Sequence, residues 1–358
     1  MSERVVMTYH EKFKQYDLGE GHPFRGDRFV NSMKLFREQN LFSYPELVLI
    51  EPEQATKEDL LRVHSENYVN LIFQLAKENR SYDMETPVSP SILEAALLIE
   101  GGAIQCAKAV YEGKAKRAIS LGGGHHHAGR NYGGGFCLFN DVAISAEFLR
   151  AKNGVKRVLI LDYDVHSGNG TSDIYYQDPN VLYISLHQDP STIYPGTGFV
   201  WQIGEGKGEG YNVNVPLPPR TGDSTYLYAL NEIFLPLAEE FEPEIIICNG
   251  GSDSHFADML GNLNLTVRGF FGISRLIRDT ADNVCGGRFV LIPGSGYNPK
   301  VLPLCWYALI AGAIGLKDIK VEDPYAPPNE PPQCRKTVEK TIDELKKLLR
   351  KHWSCFGG

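Results

Sequence analysis

The sequence predicts an α/β protein of three layers, α/β/α, built on a mainly parallel central sheet. Two observations carry this. Short apolar runs of four to seven residues, mostly β-branched or Leu and without strict alternation, fit strands buried on both faces of a parallel sheet. These runs alternate with amphipathic helical stretches, the βαβα order that right-handed crossovers produce. A third observation concerns function: each run leads directly into a cluster of Gly, His, Asp or Tyr, and in open α/β sheets ligands bind at that carboxyl edge.

The N-terminal part reads as irregular chain followed by helices. Residues 28–39 place Phe29, Val30, Met33, Leu35 and Phe36 on a helical stripe. Thr56 fits an N-cap with Asp59 closing the capping box. Residues 91–112 form an Ala- and Leu-rich helix in which Gly101 and Gly102 mark a close approach by a neighbour. Strands are then expected within residues 117–122, 157–163, 181–187, 243–250 and 288–294, with helices near 141–151, 224–241 and 266–285. A Pro-rich segment at 323–332 breaks the rhythm, and residues 336–352 read as a final amphipathic helix packed back on the surface. The whole chain, 1–358, is taken as one domain.

Composition narrows the function. With 42% hydrophobic and 22% charged residues the chain has ample material for a core. A net charge of -8, with no basic stripe, argues against nucleic-acid binding. No apolar run approaches the roughly 18 residues of a membrane span, and Met1-Ser2-Glu3-Arg4 does not open a signal peptide. The seven cysteines are scattered without a CxxC pair, which suits a reducing compartment and a cytoplasmic location, not a disulfide framework or a thiolate zinc site.

Four clusters carry chemistry. Gly122-Gly123-Gly124-His125-His126-His127 is followed by Gly133-Gly134-Gly135-Phe136; three adjacent His are not expected all to face a core, and the glycines let backbone approach a ligand. A flexible loop with solvated histidines is the plainer alternative, but the apolar run at 136–139 anchors the loop. In Asp162-Tyr163-Asp164-Val165-His166, alternation points Asp162, Asp164 and His166 the same way, so Asp164 and His166 offer the oxygen and nitrogen donors that zinc accepts. Asp162 could orient a neighbouring His. Gly251-Ser252-Asp253-Ser254-His255 supplies a third ligand; His255 is the rival, but Asp253 is favoured because such a pair commonly divides into one functional and one structural member. Two Asp and one His leave an open position, the mark of a catalytic metal site. Iron(II) also suits such a donor set. Finally, Tyr297, between Gly296 and Asn298-Pro299, could donate to an oxygen that becomes negative, although a Tyr capping the sheet edge is the plainer reading.

These motifs, with Asp17 to Pro23, Arg28, Val63 to Val69, Gly135 to Asp141, Tyr194 to Gly198 and Leu260 to Thr266, resemble the zinc-dependent histone deacetylase superfamily. That superfamily includes lysine deacetylases, acetoin-utilisation proteins and acetylpolyamine amidohydrolases. The resemblance implies an arginase/deacetylase-like sheet of about eight strands. It implies Asp164, His166 and Asp253 as zinc ligands, His126 and His127 as the paired histidines beside the attacking water, and Tyr297 as oxyanion donor. Asp162 would partner His126, and Asn169 would face His127. Gly135, Phe136, Tyr194 and Leu260 would line the substrate passage, with Tyr194 where many relatives have Phe. A structural potassium ion would lie near Asp162, Asp164, His166, Ser185 and Leu186. Ser167, Ser252 and Ser295 depart from the common pattern without removing a ligand, and bear on the substrate subgroup.

The expected reaction is hydrolysis of an acylated lysine side chain, with acetylpolyamines or another small acylated amine as the alternative substrate. A non-catalytic acyl-amine-binding module would be expected to have lost a ligand, the His pair or the Tyr. A two-manganese ureohydrolase would want further ligands where Ser167-Gly168 stand.

Overall fold

The computed structural model describes residues 4–357. Its strands are β1 (Val5–Thr8), β2 (Leu47–Ile50), β3 (Arg117–Ser120), β4 (Val158–Asp162), β5 (Val181–Gln188), β6 (Asn212–Leu217), β7 (Ile245–Gly250) and β8 (Phe289–Pro293). They form one sheet in the order β2-β1-β3-β8-β7-β4-β5-β6, and every pairing is parallel. The helices are α1 (Asp27–Glu38), α2 (Lys57–Leu60), α3 (Glu66–Glu78), α4 (Pro90–Tyr111), α5 (Asp141–Asn153), α6 (Asn169–Tyr175), α7 (Asp223–Phe241), α8 (Val267–Cys285), α9 (Leu302–Ile314) and α10 (Pro332–Leu349). They cover both faces of the sheet; α4 packs on α5, while α8 packs on α7 and α9, and α10 closes over α7.

The inner strands are continuous apolar runs because they are buried throughout: VLILD in β4 and FVLIP in β8 expose nothing. Three strands escape the sequence reading. The stretch expected to be irregular at the N-terminus contains β1, which lies between β2 and β3 inside the sheet. Four residues, VVMT, are too few to show a period. The edge strand β2 is half exposed, and β6 alternates Asn with apolar residues, burying Asn212 and Asn214. Pro216 is tolerated in β6 because that strand is an edge.

Local signals hold where expected. Thr56 and Asp59 form a capping box in both directions. At Gly101 a β-carbon would stand 1.8 Å from the carbonyl oxygen of Glu53, which explains the glycine inside α4. Asp323, in the Pro-rich segment, receives the Val267 amide at 3.2 Å, and Glu330 receives that of Gly222 at 2.9 Å, so the segment is clamped onto the starts of α8 and α7. Strands β3, β8, β7 and β4 are neighbours, so the loops that follow them meet at one crevice.

Candidate active site

The loops after β3 and β8 touch backbone to backbone. The Gly122 amide donates to Pro293 oxygen at 2.8 Å. A β-carbon at Gly294 would fall 1.5 Å from Gly123 oxygen, so no other residue fits. The glycine loop therefore folds inward, and it takes all three histidines with it: His125, His126 and His127 are each at most 5% exposed. This corrects the expectation that three consecutive His cannot all face the interior; residues that let the main chain approach the sheet edge make room for the rings.

Asp162, at the end of β4, fixes the first of the pair. Its Oδ2 meets His126 Nδ1 at 2.8 Å and accepts from the Tyr183 hydroxyl at 2.9 Å, while Oδ1 accepts from Asn249 Nδ2 at 3.0 Å. His127 Nδ1 meets Asn169 Oδ1 at 2.7 Å, and the two Nε2 atoms stand 3.2 Å apart. Burial opposes a charge on His126, but the carboxylates of Asp162 and Asp164 outweigh it and raise its pKa to about 9. His127 goes the other way: burial, then the positive charges on His126 and His166, hold it well below the ordinary imidazole value. One histidine is thus charged and the other neutral at physiological pH.

Asp164, His166 and Asp253 converge beside this pair. His166 Nδ1 lies 3.0 Å from Asp164 Oδ1 and 3.3 Å from Asp253 Oδ2, and one donor atom from each residue falls within 4.8 Å of the other two. Asp253 Oδ1 accepts the Val165 amide at 3.1 Å, while the buried Oδ2 has no hydrogen-bond partner. Two carboxylates, an imidazole and an orphaned buried oxygen fit a divalent cation. At His166, burial is overcome by Asp164 and Asp253, which raise its pKa to about 10. Burial and the Asp164 charge push Asp253 up to about 7, while Asp164 is held low by His126 and His166 against its own burial. His255 points elsewhere, its Nε2 on Asp323 at 2.5 Å and its Nδ1 accepting the Ala257 amide at 3.1 Å.

Tyr297 faces the cluster from the β8 loop, whose amides at Tyr297 and Asn298 are pinned by Asp258 Oδ2 at 2.7 and 3.3 Å. Burial and the charges of Asp253 and Asp164 hold its hydroxyl well above the usual phenol range, so it remains a donor. Phe136, at φ 70°, is a bulky residue in the left-handed region, held there as its carbonyl accepts from Tyr16 Oη at 2.7 Å. Its ring lies 5.8 Å from that of Tyr297. Tyr194, half exposed, lies 5.0 Å from the His127 ring. Gly135, at φ 53°, passes so close to His127 that a β-carbon would reach 2.4 Å from its ring. Leu260 is half-buried with its amide on Asp258, and its neighbour Met259 lines the cavity of about 180 Å³ behind Tyr297. Of the residues expected around potassium, Asp162 and Ser185 are direct partners in the β4–β5 register; Ser185 Oγ meets His187 Nδ1 at 2.8 Å, and Leu186 oxygen accepts from Tyr226 at 3.2 Å. Two of the three departures pack on each other: the Ser252 amide donates to Ser295 oxygen at 2.9 Å.

Sequence reasoning assigned no role to several residues that shape the site. Arg28 is buried, its guanidinium 3.6 Å from the Phe24 ring centre and donating to Gly294 oxygen at 3.0 Å. Tyr183, Asn249 and Asp258 hold Asp162 and the Tyr297 loop. Arg28 is marked only by the family resemblance, without a role, and the other three by no motif; packing brings all four to the site.

The family model described as histone deacetylase domain matches residues 22–313. A probable deacetylase of Archaeoglobus fulgidus is 37% identical over 98% of this chain and 99% of its own length. The acetoin utilization protein AcuC of Bacillus subtilis is 34% identical over 84% of this chain and 80% of its own. Among solved structures, the HD domain of HDA15 superposes with a TM-score of 0.86 at 28% identity, covering 99% of this chain and 97% of that one.

Proposed function

The chain belongs to the histone deacetylase family, and from that premise we propose that it hydrolyses the amide of an acylated lysine side chain, releasing acetate or another short acid. The observation that carries the reading is the convergence of Asp164, His166 and Asp253 donor atoms within 4.8 Å of one another, beside the paired His126 and His127.

A zinc ion held by Asp164, His166 and Asp253 would polarise the substrate carbonyl and bring the pKa of a water towards about 7. His127 donates its Nδ1 proton to Asn169 Oδ1, so its lone pair is on Nε2, which faces His126 Nε2 at 3.2 Å. A neutral imidazole so oriented takes the proton of the attacking water at Nε2 and returns it to the departing amine, a role worth about 10²–10⁴-fold. His126, kept cationic by Asp162, supplies positive charge at the same point. The Tyr297 hydroxyl donates to the oxygen that becomes negative as the carbonyl carbon turns tetrahedral. Gly135, Phe136 and Tyr194 wall the approach, exclude water and hold the extended chain that carries the amide. A potassium ion among Asp162, Asp164, His166, Ser185 and Leu186 belongs to the same reading.

The test is acetate release by metal-replete protein from acetyl-lysine peptides, longer acyl-lysine peptides and acetylpolyamines, with Asp253→Ala as control. Hydrolysis of the lysine substrates, abolished in the control, is expected. Preference for acetylpolyamines would overturn the lysine assignment and keep the amide chemistry; no turnover of any acyl amine would sink the reading altogether.

A further inference from the structure

His126 and His127 are absorbed by the proposed chemistry; the first histidine of the triplet is not. His125 is 2% exposed and neither ring nitrogen has a hydrogen-bond partner. Its ring stacks on Tyr16 with centroids 4.9 Å apart. Behind it stands Glu100 of α4, fully buried, with both carboxylate oxygens unpartnered. Asp141, the first residue of α5, completes the group: its Oδ1 accepts the Gly124 and His125 amides at 2.9 and 2.8 Å. His125 Nδ1 lies 3.7 Å from Glu100 Oε1 and 3.9 Å from Asp141 Oδ1, and one donor atom from each residue is within 4.8 Å of the other two.

Four orphaned polar atoms in one enclosed place need an explanation, because buried polar groups are nearly always satisfied. Among the described residues, the ion-pair contacts of Glu100 and Asp141 are with His125. Burial, and then the Asp141 charge, drive Glu100 well above the ordinary carboxylate range, so without a cation beside it the buried acid favours its neutral form. Two donors about 2.1 Å from a common ion can stand up to about 4.2 Å apart, and both measured separations fall inside that span.

We propose that Glu100, His125 and Asp141 form a second metal site, separate from the Asp164, His166 and Asp253 cluster, that holds a divalent first-row transition ion such as zinc, manganese or iron(II). Two carboxylates neutralise the ion and the imidazole adds the nitrogen donor such metals accept. Closed to solvent, the site is structural. It ties α4, the glycine loop and the start of α5 together, and so fixes the backbone from which His126 and His127 project.

Metal analysis of full-length protein, purified without chelator from zinc- and manganese-supplemented culture, tests this. About two equivalents per chain are expected in the wild type, about one in Glu100→Gln, and about one in the double variant His166→Ala/Asp253→Asn. Crystals of that double variant should show an anomalous peak between Glu100 and His125. A double variant without metal and without the peak overturns the proposal, and Glu100 is then a buried, neutral carboxylic acid. Should Glu100→Gln fail to fold, the double variant still decides. An unchanged metal count in the double variant would instead count against the catalytic cluster, so the two readings fail separately.

Discussion

Replacing Asn169 with Asp should move the acid limb of the pH–rate profile upward. Asn169 Oδ1 takes the Nδ1 proton of His127 at 2.7 Å, and as a neutral partner it adds no charge to a ring that burial and two cations already hold neutral. A carboxylate there would put a negative charge about 4 Å from the imidazole, worth about 4 kcal/mol at an effective dielectric of roughly 20. At 1.36 kcal/mol per unit this is at most about three units. Asn169 is only half-buried, so solvent screens the charge, and a rise of about one to three units is expected. The group that must be neutral to accept a proton then protonates at higher pH, and kcat/KM falls away earlier as pH drops. The assay is kcat/KM against pH from about 5 to 10 for both proteins, with thermal unfolding as the check on folding. An acid limb that stays in place, or moves down, in a folded variant would refute His127 as the base.

Asp162→Asn removes the carboxylate in direct contact with His126, which helps hold that ring at about 9, so the alkaline limb should move down by more than about one unit. The same shift predicts a stability effect in metal-free protein: the His126 contribution is full below about 6.5 and lost as pH rises through about 9, and chemical denaturation across that range should lose this slope in Asp162→Asn. Tyr297→Phe should cost about 10²–10³ in turnover with metal content unchanged, and intact turnover would remove Tyr297 from the mechanism. Chelation should abolish activity and added zinc restore it; a chelated protein that still turns over would refute the metal site. Gly294→Ala, forced against Gly123 oxygen, should destabilise by more than about 1–3 kcal/mol, and an unchanged melting temperature would contradict the close contact.

Much was legible in sequence because it depends on neighbours along the chain. Continuous, largely apolar runs marked β3, β4, β5, β7 and β8, since a strand covered on both faces has no solvent-facing positions to alternate. The alternation in Asp162-Tyr163-Asp164-Val165-His166 grouped a histidine partner with two prospective ligands, and glycine runs showed where main chain must approach closely. The four-residue strand β1 was invisible: its place between β2 and β3 is set by hydrogen bonds to segments about 40 and 110 residues away, of which a short run carries no trace.

The tertiary structure alone decided matters of distance and charge. Whether His126 or His127 carries the positive charge follows from a carboxylate on β4 facing one and an amide on α6 facing the other. That Arg28 is buried against Phe24, that His255 turns to Asp323, and that Glu100 meets His125 across the loop, likewise follow from packing between distant segments. Sequence fixes which chemical groups are present and which lie on the same side of a local element. Charge state and coordination depend on burial and on separations of a few ångströms, and those exist only once the sheet has brought its carboxyl-end loops together.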